Sequence, residues 1–294
     1  MQKRVSVNII IPVFGNVVAL NKLLISIKNL KKNKNITVKT TVINDGGDKI
    51  KKITNLKNLK VLNLKKNKGQ TFCRNLGAKK SKSDYLWFLD SDTLISNNQS
   101  LLLSINLINS YKNVALSGAY ENFRGKNFYL VPFVYPNNIS VYRKFRFNII
   151  KNIYDGNSLF ISRKNFNKVG QFSTDLKVYE ELEWSIRAKK KGIGFLFFRD
   201  FFVFHSNVKI TRNIFNETYL EKILKHRKKI LNKHLSKKVF FLPLLDFIFF
   251  PIIFFELKVF KKTFSTRFDS YSGLKSFFDY FRSLKVLLIS YFRN

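Results

Sequence analysis

A single cysteine, Cys73, excludes an intramolecular disulfide framework and fits a reducing compartment. Acids are scarce as well. Eighteen Asp and Glu stand against 54 Lys and Arg, a formal net charge of +36. Such an excess points to an anionic partner: nucleic acid, an anionic membrane or phosphorylated substrates. An AT-rich coding sequence, which enriches Lys, Asn, Ile and Phe together, is a second source of the same charge. RNA-recognition motifs, zinc-finger spacing and a Gly-rich P-loop are all missing, which argues against nucleic acid as the partner. No internal repeat and no low-complexity linker divides the chain. No apolar run reaches the roughly 20 residues that span a bilayer. The N-terminus enters a strand-like run at once, without a signal-peptide pattern, so the catalytic part is expected on the cytoplasmic side.

What is present alternates. Val5–Ile11 is β-branched and apolar and is stopped by Pro12, which reads as a first, central strand. Leu20, Leu23, Leu24, Ile27 and Leu30 then repeat at helical spacing. Strands are expected over Thr37–Ile43 and Leu59–Leu64, and a helix over Thr71–Lys80. The apolar run Tyr85–Leu89 follows and leads straight into Asp90-Ser91-Asp92. Further on come a helix over Leu101–Ser110, strands over Val114–Ala119 and Ser158–Ser162, and an acid-rich helix over Glu180–Lys191. Two aromatic strands, Gly192–Phe198 and Phe201–His205, close the series. The pattern is α/β, with a largely parallel sheet. Residues 1–210 form the expected catalytic domain, and residues 211–294 a separate basic and aromatic helical region.

Residues 1–210 hold 12 of the 18 acids, and six of those sit at strand exits or in one tight cluster: Asp45, Asp90, Asp92, Glu180, Glu181 and Glu183. Carboxylates at i and i+2 on a turn can share a hard divalent cation, or one can bind the cation while the other takes a sugar hydroxyl. Asp and Ser also build ordinary solvated turns. Three acids in the first turn of a helix suit its dipole without further purpose. Their order along the chain separates these readings.

In that order the motifs resemble the inverting nucleotide-sugar glycosyltransferases of family 2, with the GT-A fold, over roughly residues 5–205. The matching residues are Ile11-Pro12-Val13-Phe14, Asn44-Asp45, Asn67-Lys68-Gly69, Arg74-Asn75-Leu76-Gly77, Asp90-Ser91-Asp92, Glu180-Glu181 with Arg187, and His205. The resemblance implies a mixed, mostly parallel sheet flanked by helices. It implies Pro12 and Phe14 in the loop that holds the base, with Phe14 stacking on it. Asp45, Arg74, Asp90 and Ser91 then line the nucleotide-sugar site. Asp92, Asp90 and His205 form the metal site for Mn²⁺ or Mg²⁺, with Asp90 contacting ribose or metal. Where family members carry an acid pair at the second strand's exit, this chain has Asn44. Where they carry a catalytic Asp, it has Glu181, and Glu180 or Glu183 are the alternative bases. An inactive scaffold that keeps the fold is the reading these two departures leave open.

Residues 211–294 carry 17 Lys and Arg against 6 acids. Val239–Phe255 is nearly all Phe, Leu and Ile, but Asp246, Pro243 and Pro251 interrupt it. Central Asp costs about 3 kcal/mol on insertion. Basic flanks on both sides disfavour a single crossing. An in-plane or re-entrant segment is expected, beside an amphipathic helix over residues 274–292. The alternative is a soluble helical cap on the catalytic domain. The tail resembles those of bacterial enzymes that build surface polysaccharide on lipid-linked acceptors. It implies a protein held peripherally or monotopically on the cytoplasmic membrane face, acting on a glycan or polyprenyl-linked acceptor. The residues do not specify the donor nucleotide, and UDP is the default.

Overall fold

The structure is a computed structural model. It describes residues 4–48, 50, 53–95, 97–111, 113–117, 120–122, 149–151, 158–197, 203–205, 226, 229–230 and 233–234. The chain divides into two compact units. One comprises Met1–Phe128 with Tyr142–Val208, and the other Tyr129–Val141 with Lys209–Asn294. In the second unit, the described residues between 226 and 234 are helical. The apolar stretch 239–255 and the amphipathic segment 274–292 lie outside the described residues. Among the described residues, no helix is long and apolar enough to cross a membrane.

The first unit runs β1 (Val5–Val13), α1 (Val17–Lys28), β2 (Ile36–Asn44), β3 (Leu59–Asn63), α2 (Gln70–Lys80), β4 (Tyr85–Leu89) and β5 (Thr93–Ile95). It continues α3 (Ser100–Ser110), β6 (Val114–Ser117), β7 (Tyr120–Asn122), β8 (Ile149–Lys151), β9 (Ser158–Ser162) and α4 (Arg163–Val169). It ends with α5 (Glu180–Lys190), β10 (Gly194–Phe197) and β11 (Val203–His205). The main sheet has the order β3-β2-β1-β4-β9-β6-β10-β8, and β5-β11-β7 form a second, small sheet. Pairings from β3 through β4 are parallel, as is β6 with β10. The sheet turns antiparallel where β9 inserts between β4 and β6, and at the β8 edge. The sheet is mixed and mostly parallel on its β3 to β4 side, as expected.

Strand β4 is buried along all five residues, as an apolar run covered on both sheet faces must be. Its Trp87 indole donates to Ser158 Oγ at 3.0 Å, so the one polar atom of that ring is satisfied inside the core. Asn8 in central β1 is treated likewise, accepting from Thr41 Oγ1 at 3.0 Å.

Side-chain alternation divides the core in two. Val7, Ile9 and Ile11 of β1 pack with Leu20, Leu23 and Leu24 of α1 and Leu101 and Ile105 of α3. Ile10 faces the other way, into a cluster with Cys73 and Ala78 of α2, Phe166 of α4 and Trp184 of α5. A Cβ on Gly77 would stand 2.5 Å from Ile10 Cγ2, so glycine here lets α2 lie close against β1. That second face carries both helices whose first turns reach the C-terminal edge of the parallel strands, where open α/β sheets place ligands.

Candidate active site

Strand β4 delivers Asp90 to that edge. The Asp90 carbonyl accepts from Thr93 N at 3.2 Å and from Thr93 Oγ1 at 2.7 Å, closing a turn over Ser91 and Asp92. Thr93 is fully buried, so the turn is anchored from below. It opens β5, whose three residues pair antiparallel with β11, and the register sets His205 opposite Thr93. The backbone of His205 is therefore brought next to the D-x-D turn from 112 residues away in sequence (the His205 side chain lies outside the described residues). Nothing in the sequence marked β5, because three residues carry no period.

Helix α2 meets the turn from the side. Gln70 and Arg74, one helical turn apart, both donate to Asp90 Oδ1, Arg74 from Nη2 at 2.7 Å. Both bonds fall on one oxygen of the carboxylate. Arg74, the expected nucleotide contact, is 1% exposed, with its guanidinium carbon 5.7 Å from the Phe172 ring centre and Nη1 3.5 Å from Glu180 Oε1. Asp45, expected at the base or ribose, is buried at the exit of β2. Its two oxygens accept from Lys68 N at 2.7 Å and Gly69 N at 2.9 Å. It ties β2 to the start of α2, where Gly69 takes a left-handed φ of 92°. Asn44, standing where family members carry an acid, donates to Asp48 O and Asn63 Oδ1. Pro12 is buried, and Phe14 is 61% exposed beyond the end of β1.

Helix α5 supplies the third side. Tyr179 precedes it with φ 61°, an uncommon conformation for a bulky residue and one that costs of order 1–3 kcal/mol. The helix then opens on Glu180, Glu181 and Glu183, and the structure gives each a different setting. Glu183 has no exposed surface. It accepts from Arg187 Nε and Nη2, both at 2.9 Å, and from Ser173 Oγ at 2.8 Å. Glu180 faces Arg74. Glu181 is half-buried, and its carboxyl is pushed up to about 8, by burial first and by the Glu180 charge second.

The loop between α4 and α5 is held from three directions. Arg187 Nη1 and Nη2 donate to Val169 O and Gln171 O, at 2.8 and 2.7 Å. The Asn75 amide exchanges two hydrogen bonds with the backbone of Phe172, at 2.8 and 2.9 Å, as a paired strand would. Trp184 donates to Gly170 O. Gln70 and Phe172 were missed in the sequence, since a glutamine at a helix start and a loop phenylalanine carry no distinctive pattern.

Among the described residues no group of three His, Cys, Asp or Glu side chains is gathered as a metal site. The donors present still suit a hard cation. Asp90 Oδ2 and Asp92 offer carboxylate oxygens at one turn, the chemistry Mg²⁺ and Mn²⁺ prefer.

The model of Glycosyl transferase family 2 matches residues 8–170, more than half of the chain. The chain belongs to glycosyl transferase family 2. No curated protein sequence matches this transferase. Solved structures do. S. aureus TarS superposes with a TM-score of 0.52 at 17% identity, covering 80% of the transferase and 44% of TarS. The shorter TarS 1-349 gives 0.54 at 16%, covering 97% and 80%. Mannosyltransferase PcManGT from Pyrobaculum calidifontis, in complex with GDP-Man and Mn²⁺, gives 0.62 at 12%, covering 99% and 88%. The transferase thus spans less than half the length of full TarS. At these identities the likeness is one of fold, and the fold is GT-A. The family match ends at residue 170, before α5 begins.

Proposed function

We propose that the transferase moves a sugar from a nucleotide-diphosphate sugar to a hydroxyl of a glycan or lipid-linked acceptor, in a single displacement that inverts the anomeric centre. The observation that carries this reading is the setting of Glu181. A half-buried carboxyl with raised proton affinity stands beside Glu180, which a single arginine joins to the D-x-D acid. A base of that affinity is matched to taking a proton near neutral pH.

In this mechanism Glu181 accepts the proton of the acceptor hydroxyl as its oxygen attacks the anomeric carbon. The diphosphate leaves from the opposite face. Phe14, exposed beyond β1, stacks on the base, while Pro12 shapes its loop and Ser91 stands at the donor side of the D-x-D turn. Asp92 and Asp90 Oδ2, with His205, would hold Mn²⁺ or Mg²⁺, which when bound offsets charge on the departing diphosphate. The neighbour that binds GDP-Man with Mn²⁺ supports a nucleotide sugar and a cation, and it widens the donor from UDP to UDP or GDP.

The measurement is thermal unfolding with UDP- and GDP-sugars, with and without Mn²⁺ or Mg²⁺. A ligand at about a hundredfold excess over Kd adds about 2.7 kcal/mol to the native state. The expected result is a rise in Tm that needs the cation and that Asp92→Ala removes. No rise with any donor, or a full rise in Asp92→Ala, defeats the assignment.

The basic, aromatic residues 211–294 hold the transferase on an anionic membrane face, each Lys or Arg near the surface adding about 1 kcal/mol. The full chain is expected to sediment with anionic vesicles and to be released by salt. Equal sedimentation with neutral vesicles would remove the electrostatic part of this proposal.

A further inference from the structure

Arg74 is a permanent cation with almost no contact with water. On one side it grips Asp90 Oδ1 at 2.7 Å, and on the other it lies 3.5 Å from Glu180 Oε1. The two carboxylates are themselves mostly covered, with side-chain exposures of 18% and 12%. Water screens charges in such a place weakly. The frame around the guanidinium is fixed. Phe172 lies under it, and Asn75, the next residue along α2, holds the Phe172 backbone. One guanidinium therefore touches both the acid that follows β4 and the acid that begins α5, and its charge also reaches Glu181. If either acid loses its charge, the other takes a larger share of the cation.

We propose that Arg74 is a positioning residue that couples the two halves of the site, so that Glu180 on α5 sets how firmly Asp90 is held back from nucleotide and cation. The inference rests on the donor reading above, which assigns Asp90 to the nucleotide-sugar side. It also gives Glu180 a task distinct from that of a base. Its charge competes for Arg74 and thereby leaves Asp90 freer to engage the donor.

The test is calorimetric titration of UDP and of GDP, each with Mn²⁺, into wild type, Asp90→Asn, Glu180→Gln and the double variant. Glu180→Gln is expected to weaken nucleotide binding. In the double variant the two effects should depart from their product by at least about threefold, as directly networked residues do. In an Arg74→Met background the same two substitutions should multiply to within about twofold. An arginine that served stability alone would lower Tm without creating this pattern. Arg74→Gln, which removes the cation while keeping a polar side chain, gives the same independence should Arg74→Met fail to fold. Effects that multiply in the wild-type background overturn the coupling. Wild-type protein that binds neither nucleotide overturns the donor reading and the coupling together, whereas binding with independent substitutions overturns the coupling alone.

Discussion

Glu181→Gln should bind nucleotide with Mn²⁺ as wild type does and should turn over about 10²–10⁴-fold more slowly. The amide keeps the size and shape of the side chain but cannot accept the acceptor proton. Wild-type kcat/KM should rise with pH and level off above about 8, the value to which burial and the Glu180 charge push this carboxyl. That limb should vanish in the variant. Stability moves the opposite way with pH. In the unfolded chain a Glu titrates near 4.3, with the proton held more weakly than in the fold. The protonated carboxyl therefore favours the folded state fully below about 4.3, and that contribution is lost as pH rises through 8. Wild type should lose stability relative to Glu181→Gln across this window. Equal turnover of the two proteins would mean that another group is the base.

Glu183→Gln should behave in the reverse manner. Its carboxylate is fully buried and accepts from Arg187 and Ser173, and Arg187 in turn holds the carbonyls of Val169 and Gln171. Removing one partner of such a pair leaves an uncompensated charge and costs about 3–5 kcal/mol. The midpoint of urea unfolding should fall accordingly, while the protein that remains folded keeps the pH limb of wild type. Wild-type stability with lost turnover would move the base from Glu181 to Glu183. The pair of variants thus separates chemistry from architecture two residues apart on one helix.

Much of this was legible in the residues themselves. The run Tyr85–Leu89 had to be a strand buried on both faces, and two acids at its exit had to stand at the ligand edge of the sheet. The three acids of α5 could be placed on a helix but not told apart, because their difference arises elsewhere. Ser173 and the i+4 spacing to Arg187 take Glu183, and Arg74, more than a hundred residues earlier, takes the side of Glu180. The same limit applies to Asp45 and Arg74. Motif order put both on the candidate list, but only tertiary contacts reveal that one ties β2 to the turn before α2 and the other spans two acids. Strand β5 and the register that sets His205 opposite Thr93 depend on pairing across the fold, which local pattern does not encode.

The solitary thiol has a practical consequence. Cys73 has no exposed surface, and burial followed by the charge of Asp45 pushes its proton affinity far above that of a free thiol. It should ignore maleimide reagents at neutral pH, when thiolate is the reacting form. A cysteine introduced at Tyr111, which is 42% exposed at the end of α3 and just before β6, would be the one reactive handle on the native fold. A dye or tether could then be attached at a chosen point, away from the helices that carry the chemistry, without first deleting any native residue.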